Sequence, residues 1–131
     1  MAKVTVNEIK DNGFTYEGYG IAAADFDAYI DRVIESQSQL LKVKVGSAYE
    51  SLDSGTSVFM ARAELCMVCA EMLTRRLTVY FQSDGKIEGI DSFKIRRSIE
   101  QYTAEADALI DKLTNSGTSI SKGFESGLVI S

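Results

Sequence analysis

The chain has no histidine, no proline and no tryptophan, and only two of its 131 residues are cysteine. Without histidine it lacks the side chain that ordinarily changes charge near neutral pH. Most acid–base and nucleophilic schemes go with it, as does the commonest metal ligand. Two cysteines alone fall short of the four Cys or His ligands that a structural zinc takes. The absence of proline fits long, uninterrupted helices joined by glycine turns. Positive charge is scarce as well. Fourteen Lys and Arg stand against nineteen Asp and Glu, a net charge of −5, and the only basic doublets are Arg75-Arg76 and Arg96-Arg97. A balance of this kind does not grip nucleic acid phosphates. Met1-Ala2-Lys3 runs straight into Val4-Thr5-Val6 with no apolar stretch between, so no signal peptide is expected and the thiols should be reduced.

What is present is ordinary globular composition, 45% hydrophobic and 25% charged, in a chain long enough for one domain with a core of its own. The organising stretch is Ser57 to Gln82. At helical spacing Phe59, Ala63, Cys66, Ala70, Leu73 and Leu77 make one stripe, and Leu65, Met67, Val68, Cys69 and Met72 fill the gaps between its members. The middle turns are therefore apolar nearly all round, with Arg62, Glu64, Glu71, Arg75 and Arg76 toward the ends. That pattern describes a core helix covered on more than one side. The run Leu65 to Ala70 is far too short to span a bilayer.

Ahead of it, Thr5-Val6-Asn7-Glu8 reads as a capping box opening a short helix that Asn12-Gly13 stops. The loop that follows carries Gly18-x-Gly20, which lacks the third glycine, the preceding strand and the lysine of a phosphate loop, and reads as turn glycines between packing tyrosines. From Asp25 a second helix places Phe26, Tyr29, Ile30, Val33, Ile34, Leu40 and Leu41 on one side, with Gln37 interrupting. Its end is open: Lys42-Val43-Lys44-Val45 alternates like a strand, and Gly46 suits a cap. Thr56 or Ser57 is the expected N-cap of the core helix, and Thr78 to Phe81 its fraying end. Ser83-Asp84-Gly85 reads as a turn and Lys86 to Ile90 as a short loop or hairpin arm. A last helix then carries Ile95, Ile99, Tyr102, Ala106, Leu109 and Leu113 on a regular stripe that Ile110 widens, and Asn115-Ser116-Gly117 ends it. The expected fold is mainly α: a small antiparallel bundle of one short and three longer helices over residues 1–117.

Residues 118–131 have small and polar residues with a few apolar pegs and no helical period. They cannot form a core of their own. Ile120, Phe124, Leu128, Val129 and Ile130 are nevertheless large apolar side chains, and spaced pegs of this kind suit an extended arm that binds a partner, the alternative being a floppy terminus that binds nothing. These five are the candidate partner-binding residues. Chemistry is otherwise missing. Cys66 and Cys69 stand at the spacing of a redox pair, but in mid-helix among apolar residues, which suits two buried core thiols. The carboxylates are expected along solvent faces, and no pair of them is set among apolar residues. No enzyme, metal site or cofactor is expected.

The succession of a short capped helix (TVNEIKD), a long amphipathic helix (DFDAYIDRVIESQSQLL), an apolar helix (ARAELCMVCAEMLTRR), a glycine turn, a further helix and a loose tail resembles the head–tail connector, or adaptor, proteins of tailed bacteriophages. The resemblance spans about residues 3–113, and the helix from Phe93 to Leu113 is longer and more regular than in those proteins. It implies a structural protein of the virion neck, present in the host cytoplasm during assembly. It implies a ring beneath the portal, usually of twelve copies, through whose lumen DNA passes without being specifically bound. The partners implied are other copies of the chain, the portal protein and a downstream neck or tail-completion protein, with no membrane. An acidic lumen would repel the phosphate backbone. The competing expectation is a small intracellular helical bundle that acts as an interaction or host-inhibitory module.

Overall fold

The structure, a computed structural model, describes residues 2–82 and 91–115. Within them are four α-helices: α1, Val6–Asp11; α2, Phe26–Val45; α3, Ser54–Gln82; and α4, Ser92–Asn115. No strand occurs among the described residues. The turn expected at Ser83–Gly85, the loop over Lys86–Ile90 and the arm over residues 118–131 lie outside the described residues.

The capping box forms as the sequence predicts. Thr5 Oγ1 accepts from the Glu8 amide and the Glu8 carboxylate accepts from the Thr5 amide. Lys10 and Asp27 pair at 2.6 Å between α1 and α2. The strand-like alternation of Lys42 to Val45 does not become a strand. It continues α2 for one more turn, and Gly46 closes the helix at φ +64° with its amide donating to the Lys42 carbonyl. Four alternating residues are too few to outweigh the propagation of a helix already formed. A short 3-10 turn, Gly46–Glu50, follows.

The start of α3 also differs from expectation. Asp53, rather than Thr56 or Ser57, caps it, its carboxylate accepting from the Thr56 amide at 3.0 Å and from the Thr56 hydroxyl. Those hydrogen bonds hold the Asp53 carboxyl below its ordinary pKa. At the other end, Thr78 to Phe81 stay helical through to Gln82.

α3 and α4 form a long antiparallel hairpin. Phe59 lies by Lys112, Arg62 pairs with Glu105, and Phe81 lies by Arg96, so the two helices run in opposite directions. α2 packs across α3 in two clusters. In one, Phe26, Ile30, Val33 and Ile34 meet Val68, Cys69 and Met72 together with Val4, Ile9, Phe14 and Tyr19. In the other, Leu41 and Tyr49 meet Met60, Ala63, Cys66 and Met67 with Ala106 and Leu113 of α4.

The core helix is buried on a wider arc than its sequence stripe. Ala63 and Cys66 of that stripe are buried, but Phe59 is exposed and Ala70, Leu73 and Leu77 are only half-buried. Met60, Glu64, Met67, Val68, Cys69 and Met72 are the buried remainder. Leu40, expected on the inner side of α2, is 45% exposed, and Ser38 is buried instead. The stripe of α4 is placed as expected, with Ala106 and Leu113 buried and Ile95, Ile99, Tyr102, Leu109 and Ile110 half-buried. A single neighbouring helix covers the centre of such a face and leaves its flanks open.

Candidate interaction site

The most conspicuous polar feature is one that sequence reasoning put on the surface. Glu64 is fully buried. Its Oε2 accepts from the backbone amides of Lys3 at 2.7 Å and Val4 at 3.0 Å, and its Oε1 accepts from the Tyr49 hydroxyl. Three donors around one carboxylate satisfy it inside the core. Over the Tyr49 ring lie Lys3 Nζ, 4.5 Å from its centroid, and Lys42 Nζ, 5.2 Å from it. Burial, and then the hydrogen bond to Glu64, push the Tyr49 phenol above its ordinary pKa. Glu64 thus joins the N-terminal segment, the 3-10 turn and the core helix at one point. It is a structural pin. The sequence held one usable hint, a lone acidic residue immediately before the apolar run Leu65 to Ala70.

Tyr19 makes a similar tie from the glycine loop. Its hydroxyl donates to the Met72 carbonyl at 3.0 Å, and its ring packs against Phe26 and Tyr29. Burial raises its pKa. Gly18 sits at φ +91°, a backbone conformation that favours glycine, and an added Cβ would lie 2.9 Å from the Arg76 side chain. Of the two tyrosines expected to pack around these glycines, Tyr19 does so and Tyr16 is exposed.

Cys66 and Cys69 are buried free thiols, and burial pushes both up to about 11. They remain protonated at neutral pH and are poor nucleophiles. Beside them Arg62 forks onto Glu105 at 2.6 and 3.1 Å, which holds the Glu105 carboxyl below its ordinary pKa. Among the described residues no three His, Cys, Asp or Glu side chains are grouped as a metal site, and no helix is long and apolar enough to cross a membrane.

Besides the exposed Leu52, Val58 and Phe59 around the start of α3, three surfaces can engage another molecule. Between α2 and α4 runs an open groove of about 230 Å³ over α3. Met67, Ala70, Ile99, Ala106 and Ile110 give it an apolar lining, and Gln37, Lys44, Glu71 and Asp107 are polar groups in its wall. On the outer side of α2, Leu40 and Val43 are exposed, Val43 by 82%. At the far end of the hairpin, Phe81 and Phe93 are exposed, the latter by 68%, with Arg96 over the Phe81 ring and Arg97 over the Phe93 ring. None of the three is marked in the sequence by more than ordinary apolar residues. The groove in particular depends on how far α2 and α4 stand apart, which no periodicity reports. The five partner-binding residues read from the sequence, Ile120, Phe124, Leu128, Val129 and Ile130, lie outside the described residues. The chain matches no protein-family model, no curated protein and no solved structure.

Proposed function

We propose that this chain is a structural head–tail connector of a phage neck, which assembles as a closed ring under a portal and lets DNA pass through its lumen. The order of helices carries the resemblance. The observation that supports assembly is the pair of separated apolar patches on one copy, Leu40 and Val43 on α2 and Phe81 and Phe93 at the hairpin end. Two different patches on one chain favour a heterologous contact, and a heterologous contact that closes gives a ring. The net charge of −5 suits a channel that DNA slides through and does not grip. The arm over residues 118–131 would supply attachment to the portal through Phe124 and Leu128 to Ile130.

Mass measurement of the purified chain, alone and with a candidate portal protein, tests the reading. A closed cyclic complex on the portal, expected at twelve copies, supports it. Binding as a single copy, or no binding to any portal, ends it and leaves the small interaction module as the better description.

A further inference from the structure

The groove between α2 and α4 has an apolar lining and nothing in it among the described residues, and α4 ends only a few residues beyond it. We infer that the groove is the resting seat of this chain's own C-terminal segment, with Ile120 and Phe124 as the two side chains that enter it. The inference holds whether or not the neck reading does. Four observations carry it.

The first is reach. The groove follows α4 from Ile110 back to Ile99, which lies about 8 to 24 Å from Asn115 along the helix axis. Ile120 stands five residues past Asn115 and Phe124 nine, within extended reaches of about 17 and 30 Å. The second is the reversal that such a path needs. Gly117 stands two residues past the helix end at Asn115, and glycine permits the backbone turn that sends a chain back along its helix. The third is charge. Lys122 lies between the two pegs, and Asp107 stands in the groove wall near Ile110, while the wall's Glu71 is already paired with Arg75 and its Lys44 is a positive charge of the same lining. The fourth is tethering. A segment attached this close to its seat sees it at an effective concentration near millimolar, which favours its own groove over that of another copy. A partner that captures the arm must then compete with the groove, so the groove holds the arm back until that partner is present.

The absence of tryptophan makes the test clean. Full-length protein carrying Phe124→Trp is compared with a synthetic peptide of residues 118–131 bearing the same change. The protein is expected to show a blue-shifted emission and severalfold weaker iodide quenching than the peptide, unchanged on dilution. Thr103, exposed on the groove wall, is then changed to Arg in the same protein. This should return emission and quenching to the peptide's values while the helical circular dichroism and melting stay as they were. Quenching as free as the peptide's in the full-length protein overturns the inference. So does protection that survives Thr103→Arg, which would seat the arm elsewhere. Protection that is lost on dilution assigns the arm to a second copy and overturns it as well. Portal attachment is read separately, so failure of the neck reading leaves each of these outcomes distinct.

Discussion

A carboxylate inside an apolar core is stable only while its hydrogen bonds hold. Glu64 has three, from the Lys3 and Val4 amides and from Tyr49. Glu64→Ala strands those donors and leaves a cavity, so urea melts should show a loss on the order of 3 kcal/mol. Glu64→Gln keeps an acceptor for the two amides and lets the Tyr49 oxygen accept from the new amide, so its loss should be about 1 kcal/mol. Equal losses for the two would mean that the fit of the side chain, and not its acceptors, holds the N-terminal segment. The thiols give a second expectation at this scale. The folded protein holds the Cys66 and Cys69 protons up to about pH 11, against an ordinary value of 9. Their contribution to stability is therefore complete below pH 9 and disappears as the pH rises toward 11. Stability followed by denaturant melts should fall across that window, and a Cys66→Ala, Cys69→Ala double variant should fall less steeply. At neutral pH a thiol reagent should label the native protein far more slowly than the unfolded chain.

At the scale of elements, the existence and order of the helices were legible because each has a strong local cause. α1 has its capping box, α2 and α4 have regular stripes, and α3 has a nearly unbroken apolar belt. What was not legible is where on each helix its neighbours sit. The stripe through Leu73 suggested the deepest face of α3, but α1, α2 and the glycine loop cover the side that carries Val68, Cys69 and Met72. A helix apolar all round offers several equivalent stripes, and only the crossing of other helices chooses among them. Met72→Ala, at a fully buried position, should then cost about 2–5 kcal/mol. Leu73→Ala, one residue on and half-buried, should cost less than half as much in the same melts. The reverse order would put the centre of the core back on the sequence stripe. Glu64 was misplaced for a related reason. Its donors come from Lys3, Val4 and Tyr49, residues that no helical period of α3 connects to it. The groove was invisible for the same cause, since it is the gap that α2 and α4 leave, and the candidate arm residues lie outside the described residues altogether.

For the whole molecule, the question is what a surface residue does that a single copy does not need. Val43 is 82% exposed on α2 and sits in neither core cluster. A single copy loses almost nothing when such a residue changes, within about 0.5 kcal/mol by the usual behaviour of surface positions. Val43→Glu should therefore leave the melting curve and helical content of the isolated protein unchanged. In a ring that buries this side of α2 against the next copy, the same carboxylate would be desolvated once per contact, and the cost would recur at every interface around the closed assembly. Native mass measurement with the portal protein should then show the complete ring for the parent chain and only unassembled copies, or none, for Val43→Glu. A Val43→Glu protein that still closes the ring would remove this side of α2 from the contact. The remaining patch, Phe81 and Phe93 at the hairpin end, cannot by itself supply the two different faces that a heterologous ring requires. The second face would then have to come from the exposed Leu52, Val58 and Phe59 around the start of α3, and Val58→Glu would be the variant to carry into the same measurement.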